Sequence, residues 1–485
     1  MNRPATARPL DSSARRQSLQ TALVGVGVVG AAAVAGLSAR LDAAAPLSLA
    51  VLAVVVAAVW ARPAVAAVLV VAVAPAVAGL KFTVALPGLN LAMIVVVGCA
   101  LVTFFRRPAV WPRTTATEVA TFVFAATAAL FAGYHAAVDG SSLASLLRAA
   151  AQPALLWLAF WTANRAVGDQ GDLRLVLRWV LALSFVVSLL AMAQFFDLAG
   201  VPTFLKSISD VYSLPHDGSG PRVTGPFPIW HSLCGYLLIP VVLTLSMLLT
   251  GSRSIASRWQ LVVLVAAQLT AVVMAVTVTS FIWLAVAVLV AAALLGRLGR
   301  SLVVLVLAGF TAVTVFSSVL ESRLAQQTTE ASGAGGGLLP QTVAYRVLVW
   351  ERDFLPLLRQ AAGAGVGNDL PSTVQFAHTE NQYFTWILRG GLLLAATGIA
   401  VLIVMFLEAV SAFRRASTHR ETLAALVGVV VFVPAAMTIW PYLTNAGLPL
   451  ALFSFAGAAM AGRSRRSASH VHLHLAVPPL QRSPL

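Results

Sequence analysis

Hydrophobic residues in this chain occur in long continuous runs separated by short polar stretches. About 14 runs have the roughly 17–24 residues that a helix needs to cross about 30 Å of hydrocarbon. A helix satisfies its own backbone polar groups in lipid, whereas a membrane β-barrel would show short alternating segments. The pattern predicts an all-α polytopic membrane protein with about 12–14 transmembrane helices. The predicted spans lie near residues 20–39, 44–60, 63–80, 86–105, 117–136, 142–163, 174–197, 227–250, 259–278, 280–296, 301–320, 385–407, 422–440 and 446–462.

Composition agrees with this pattern. Of the 485 residues, 59% are hydrophobic and 10% are charged, whereas soluble domains carry about 25% charged residues. The net charge of +15 comes from short arginine clusters between the apolar runs, not from one patch, so we expect no nucleic-acid partner. Cys99 and Cys234 both fall within predicted spans, which argues against a disulfide framework or a metal site. The polar first 19 residues give no sign of a cleavable signal peptide.

The basic clusters also predict orientation, because cytoplasmic loops of membrane proteins are enriched in arginine and lysine. Placing the loops alternately on the two sides gathers nearly all arginine clusters on the side of the N-terminus. We therefore expect a multi-pass protein of the plasma (inner) membrane, with a transmembrane domain over residues 20–462. The tails 1–19 and 463–485 are predicted to be cytoplasmic, and the second of them disordered.

Two longer segments, 198–226 and 321–384, fall on the opposite, extracytoplasmic side and hold eight of the 17 acidic residues. In the first segment, Arg222 and Gly225 lie in a proline-rich stretch that leads to His231 at the start of a span. A planar guanidinium there pairs well with phosphate oxygens. The alternative is an arginine that faces lipid headgroups at a helix end.

The second segment contains Arg346 and Trp350, followed by a glycine-rich stretch from Gly363 to Gly367. That stretch lacks the preceding strand and the lysine of a phosphate-binding P-loop. Apolar spacing from Val343 to Leu357 predicts a short helix, lying either on the outer membrane surface or against its own loop. Polar and titratable residues then gather at the mouth of a span, where desolvation is costly and suggests use. These residues are His378, Glu380, Asn381 and Tyr383.

The two clusters together resemble the superfamily of O-antigen ligases and Wzy-type polysaccharide polymerases over residues 180–410 approximately. The family shows an arginine, a glycine and an aromatic residue entering a span, then arginine, tryptophan, a glycine-rich turn and an asparagine before a further span. The matching residues here are Arg222, Gly225, Phe227, Arg346, Trp350, Gly363 to Gly367, Asn381 and Gly391. The sequence departs from the family pattern at Phe281, where an arginine is common, and at Glu380, where histidine is usual; His378 lies two residues earlier.

This resemblance implies a glycosyltransferase of the GT-C type that acts at the outer membrane face without a metal or another cofactor. The donor would be a glycan linked to a polyprenyl diphosphate such as undecaprenyl diphosphate, and the acceptor another glycan or lipid-linked sugar. Arg222 and Arg346 would bind the diphosphate, and His378 or Glu380 would deprotonate the acceptor hydroxyl. Supporting roles would fall to Gly225, His231, Asn381 and Tyr383.

Three other functions remain open from the sequence. A transporter or flippase of lipid-linked glycans would have a similar number of spans, but usually shows charged or broken helices at mid-membrane and an internal repeat. No clear repeat is visible here. A cell-wall polymerase of the shape-and-division family usually has fewer spans, and a noncatalytic membrane protein is the simplest alternative. The alanine-, valine- and arginine-rich composition, typical of a GC-rich genome, favours polymerisation over ligation of a surface or exported polysaccharide.

Overall fold

The computed structural model describes residues 55–80, 90–106, 114–209, 222–275, 277–315, 317, 321, 346–368, 379–444 and 446–461. The named elements of this part of the chain are all helices. In chain order they are α1 (Pro63–Val77), α2 (Leu91–Arg106), α3 (Ala116–Val138), α4 (Leu143–Ala166), α5 (Gln170–Phe195), α6 (Val201–Ile208), α7 (Trp230–Thr250), α8 (Arg258–Met274), α9 (Val278–Leu294), α10 (Leu298–Val315), α11 (Leu355–Ala361), α12 (Gln382–Arg415), α13 (Arg420–Ala436) and α14 (Leu448–Ala461).

The predicted fold class is confirmed: the chain is an all-α polytopic membrane protein. Every predicted span from 63–80 onward coincides with a described helix, and the two spans near 259–278 and 280–296 are separate helices, α8 and α9. The span near 20–39 lies outside the described residues, and of the span near 44–60 only its helical end is described. Among the described helices, five are long and apolar enough to cross a membrane, namely α3, α4, α5, α7 and α12. The shorter helices α1, α2, α8, α9, α10 and α14 are also apolar.

Several helices begin at a polar side chain that accepts a hydrogen bond from one of the first backbone N–H groups, which would otherwise be unpaired. The Thr115 hydroxyl accepts a hydrogen bond from the Glu118 N–H and begins α3. At α8, Ser257 and Gln260 form a reciprocal capping box. At the start of α12, the Asn381 Oδ1 accepts hydrogen bonds from the backbone N–H groups of Tyr383 and Phe384.

Contacts between helix ends define two ends of the bundle, which we name by α12: the upper end is where α12 begins and the lower end where it finishes. At the upper end, the Gln382 N–H donates to the Met437 carbonyl after α13, and the Val223 N–H donates to the Met274 carbonyl at the end of α8. At the lower end, Glu408 near the finish of α12 accepts from the first N–H groups of α3. Residues 222–229 and 346–368 thus share the upper end; its predicted extracytoplasmic location is not defined by the helix packing.

A buried ion pair joins two helices at the lower end. Arg165, at the end of α4, donates two hydrogen bonds of 2.9 and 2.7 Å to the carboxylate of Glu118, in the first turn of α3. The two side chains are only 6% and 8% exposed. The guanidinium also lies 4.7 Å from the ring centre of Trp161. This bidentate geometry offsets the cost of removing both charges from water and fixes the register of α3 against α4.

Helix α12 is broken near its upper end by Gly390 and Gly391, whose backbone is not helical. Gly391 has φ +66°, a left-handed conformation that favours glycine, and a Cβ there would overlap the carbonyl oxygen of Gly363. The glycine-rich turn docks into this break through its backbone. The Val366 N–H donates to the Leu388 carbonyl at 2.7 Å, and the Leu392 N–H donates to the Ala362 carbonyl at 3.0 Å.

The predicted short helix after Arg346 is present, with a π-helical turn over Trp350–Phe354 before α11. Val349, Phe354 and Ala361 are buried in a small apolar cluster with Leu388 of α12, so the helix packs directly on a membrane-spanning helix. The π-turn adds a residue to the helical repeat, which rotates the apolar positions relative to the regular spacing read from the sequence.

Candidate functional site

The backbone before α7 is held in place by one buried amide. The Oε1 atom of Gln194 in α5 accepts hydrogen bonds from the Thr224 N–H at 2.9 Å and from the Gly225 N–H at 2.8 Å. Gly225 has φ +55°, which explains the need for glycine at this turn. The resulting turn places the Arg222 guanidinium carbon 4.4 Å from the ring centre of Trp230, a cation–π contact.

Arg346 and Glu380, two residues predicted at the site, form an ion pair. The Arg346 Nε donates to Glu380 Oε2 at 2.7 Å, and the side chains are 16% and 25% exposed. Glu380 has φ +53°, an uncommon conformation for a residue other than glycine, of the kind found where the surroundings fix a backbone for function. The Trp350 indole N–H donates to the Thr379 carbonyl at 3.0 Å. This bond ties the helix of residues 346–361, named the outer helix from here on, to the segment that carries Glu380.

The two predicted arginines lie at the end of the bundle that holds His231, the second residue of α7, which is 9% exposed. Arg222 contacts the ring of Trp230, the residue before His231, and Arg346 pairs with Glu380 at the start of α12. Arg222 comes from the segment before α7 and Arg346 from the outer helix, more than 100 residues later in the chain. The two sequence clusters therefore lie at the same end of the bundle, and each brings an arginine there.

An aromatic turn between α13 and α14 completes this site and was not predicted. The Trp440 ring stacks on the His231 imidazole with 4.5 Å between ring centres, and Tyr442 contacts the imidazole edge-on at 6.2 Å. Burial raises the pKa of the Tyr442 phenol above its ordinary value, so the hydroxyl stays protonated. The only sequence signal was a tryptophan, a proline and a tyrosine in a very short connection between spans.

Asn381 and Tyr383, predicted as supporting residues, serve the architecture of the site. The Asn381 side chain caps α12 with its Oδ1 and donates from Nδ2 to the Thr438 carbonyl at 3.1 Å. The Tyr383 hydroxyl donates to the Pro434 carbonyl at 2.8 Å. Both residues thereby join the start of α12 to the segment that carries the aromatic turn. His378 lies outside the described residues.

The site brings together two guanidiniums, one carboxylate, one imidazole and the rings of Trp230, Trp440 and Tyr442 at the upper end of the bundle. Within the described ranges, no group of three or more His, Cys, Asp or Glu side chains could hold a metal ion. Cationic donors beside aromatic surfaces suit an anionic, hydroxyl-rich ligand.

No family model matches this sequence, and no curated protein matches it. The function must therefore be argued from the side chains that the site brings together.

Proposed function

We propose that this protein is a membrane glycosyltransferase that transfers a glycan from a polyprenyl diphosphate to a hydroxyl of another glycan or lipid-linked sugar. Its product would be a surface or exported polysaccharide, and the reaction would take place at the extracytoplasmic face. The observation that supports this proposal most directly is that Arg222, in contact with Trp230, and Arg346, paired with Glu380, lie at the same end of a bundle of apolar helices.

A diphosphate needs little more than charge stabilisation to depart. In the proposed reaction the acceptor hydroxyl oxygen attacks the anomeric carbon, the bond from that carbon to the diphosphate oxygen breaks, and the electron pair leaves with the diphosphate. Arg222 and Arg346 stabilise the charge that develops on the leaving group, a contribution of about 2.7–4 kcal/mol per cationic or hydrogen-bond donor in comparable sites. The apolar helices below provide the surroundings for the polyprenyl chain.

Glu380 takes the proton of the acceptor hydroxyl in this scheme. Its carboxylate holds the Arg346 guanidinium in the resting site. When the diphosphate arrives, its oxygens compete for the same guanidinium, because phosphate and carboxylate both match the guanidinium fork. The carboxylate is then released to the acceptor. His378, two residues earlier in the chain, is the alternative base.

The decisive test compares four variants in reconstituted membranes supplied with lipid-diphosphate-linked glycan from the native organism. Arg222→Ala and Arg346→Ala should each lower the transfer rate about 10²- to 10³-fold. Glu380→Gln, which still accepts a hydrogen bond from Arg346, should lower the rate about 10²- to 10⁴-fold without weakening donor binding. The matched control is Arg253→Ala, an exposed arginine near the lower end, which should transfer at the normal rate.

Normal transfer by both site arginine variants would refute the proposal. If Glu380→Gln transfers normally and His378→Ala does not, the base assignment moves to His378 and the rest of the scheme stands. Deletion of the gene separates the remaining functions by the size of the surface glycan. Short units without long chains indicate a polymerase, complete chains left unattached indicate a ligase, and lipid-linked units trapped on the cytoplasmic face indicate a flippase.

A further inference from the structure

One buried histidine joins the end of α3 to the glycine-rich turn. The His135 side chain, near the upper end of α3, is only 3% exposed. Its Nδ1 lies 2.6 Å from Oδ2 of Asp139, and its Nε2 lies 2.8 Å from the backbone carbonyl oxygen of Ala364 in the turn. Residues four apart share one face of a helix, and the Asp139 N–H still donates to the His135 carbonyl at 2.9 Å. The Asp139 side chain is 41% exposed, so protons reach this pair from water.

The two neighbours of the imidazole determine how many protons it needs. A backbone carbonyl can only accept a hydrogen bond, so Nε2 must carry a proton to contact Ala364. A carboxylate also only accepts, so a second proton lies between Nδ1 and Oδ2 of Asp139. This holds whether the pair is an imidazolium with a carboxylate or an imidazole with a carboxylic acid. The observed contacts of His135 therefore need two protons at once.

Loss of one of these protons breaks one of the two contacts. A neutral imidazole beside an ionised Asp139 has a single N–H, and its other nitrogen turns a lone pair toward an oxygen lone pair. The remaining proton stays with the carboxylate, because a hydrogen bond to an ionised group is about twice as strong as one between neutral groups. The contact that is lost is the one to Ala364. Imidazole is the side chain that ordinarily loses a proton between about pH 5 and 8.

Among the described residues, Asp139 is the one charged group that contacts the imidazole. On the same helix, the ring of Tyr134 lies 5.3 Å from the imidazole between ring centres. The turn carries no titratable side chain over residues 361–368. The helices that pack on α3 contribute two arginines, Arg389 of α12 and Arg148 of α4, and within the described ranges neither forms a hydrogen bond with the imidazole. Asp139 therefore sets the protonation of this histidine.

The contact to Ala364 matters because the turn positions Arg346. The turn continues the outer helix, which carries Arg346, and its backbone bonds to the break in α12 hold that helix in place. A second contact between the turn and α3 comes from Asn368, whose Nδ2 donates to the Ala132 carbonyl at 3.1 Å. An amide does not titrate, so His135 supplies the contact that depends on pH.

We propose that His135 is a positioning residue whose protonated form latches the glycine-rich turn onto α3, and that this latch opens as the pH rises. The docked turn holds the additional proton, so the latch is fully formed at low pH and is lost as the pH increases. Its effect on Arg346 and on transfer rests on the proposed glycosyltransferase function. The latch itself stands on the contacts of His135 alone.

Hydrogen–deuterium exchange in lipid nanodiscs tests the latch without requiring transfer. The readout is the protection of the Val366 and Leu392 amides, whose hydrogen bonds join the turn to α12, relative to the intrinsic exchange rate at each pH. Between about pH 5.5 and 8.5, we expect the protection in the unmodified protein to fall about fivefold, the factor that corresponds to one ordinary hydrogen bond.

Three substitutions separate the roles of the two ring nitrogens. Glutamine places its amide nitrogen near the position of Nε2, so His135→Gln should still donate to Ala364 and keep the protection high at both pH values. Asparagine places its nitrogen near Nδ1, so His135→Asn should lower the protection at both. With Asp139→Asn, a neutral imidazole can donate from Nε2 and accept at Nδ1, so the turn should stay docked and the pH dependence should disappear.

The matched control is Asn368→Ala, which removes the contact that does not titrate. It should lower the protection by the same factor at both pH values and leave the pH dependence in place. Equal protection of the unmodified protein at the two pH values would overturn the proposal, as would a pH dependence that survives in both His135→Gln and Asp139→Asn.

Transfer is measured separately, as the ratio of the rate of the unmodified protein to that of His135→Gln, which should fall over the same pH range. If exchange follows these expectations but Arg222→Ala and Arg346→Ala transfer normally, the latch stands and the glycosyltransferase scheme falls. If transfer depends on the arginines but the ratio does not change with pH, the positioning role of His135 is refuted and the scheme stands.

Discussion

The break in α12 provides the sharpest test of the architecture, through Gly391→Ala. Gly391 has φ +66°, and a methyl group at this position would point into the carbonyl oxygen of Gly363. With ψ −167°, Gly391 lies in a region that essentially only glycine adopts, and another residue there costs about 1–3 kcal/mol. Relief of the overlap requires the turn and the helix to separate, because both contacting groups are backbone and neither can rotate away.

Separation would break two backbone hydrogen bonds, one from Val366 to Leu388 and one from Leu392 to Ala362. Each contributes about 0.5–1.5 kcal/mol net. Together with the strained backbone conformation, the expected loss is about 2–6 kcal/mol in the free energy that holds residues 362–368 against α12.

Hydrogen–deuterium exchange in nanodiscs measures this loss locally, through the amides of Val366 and Leu392, and SDS-induced unfolding measures its global part. The matched control is Gly133→Ala in α3, where a Cβ would meet nothing within 4 Å. This control should be neutral or stabilising by up to about 1 kcal/mol, because alanine favours a helix more than glycine does. Exchange at Val366 that is unchanged, or a loss below about 1 kcal/mol, would mean that the turn is not anchored by Gly391.

The remaining predictions concern the ion pair, the aromatic turn and the turn before α7. Arg165→Met alone should destabilise the protein by about 3–5 kcal/mol in SDS unfolding because it strands a buried carboxylate, whereas the double variant with Glu118→Leu should recover most of that loss. Because burial raises the pKa of Tyr442, the unfolded state releases this proton first, so stability is retained below about pH 10 and falls above it. Melting temperatures at pH 8 to 11 should fall less steeply for Tyr442→Phe. Gln194→Leu leaves the Thr224 and Gly225 N–H groups unpaired, at about 1–3 kcal/mol each, and should speed their hydrogen exchange while lowering transfer; Gln194→Glu should behave nearly as wild type.

Hydropathy alone predicted the helices well, because a span must be long and apolar wherever it packs. The predicted ends of the helices were less accurate than their positions, as α12 shows. It begins at the Asn381 cap and continues to Arg415, eight residues past the predicted span, because a helix can project beyond the hydrocarbon. Its break could not be read from the sequence, since a pair of glycines within an apolar run also occurs in unbroken helices.

The candidate site was predicted in part. Arg222 and Arg346 were identified from their settings, and both lie at the upper end of the bundle. The pairing of Arg346 with Glu380 was not anticipated, nor was the stacking of Trp440 on His231, because both depend on contacts between residues that are distant in the sequence. The glycine-rich stretch was noticed in the sequence, but its role was not predicted. Its small residues allow its backbone to contact the backbone of α12, and this contact depends on two segments that are separate in the sequence.

The interruption at Gly390 divides α12 into two mechanical units. Residues 382–389 are tied to the docked glycine turn and, through Asn381, to the segment after α13, so we expect them to move with the parts outside the bundle. The longer lower piece is anchored by its packing and by Glu408 at the start of α3. A force applied to the upper end would therefore bend the protein at this joint before it reached the ion pair below.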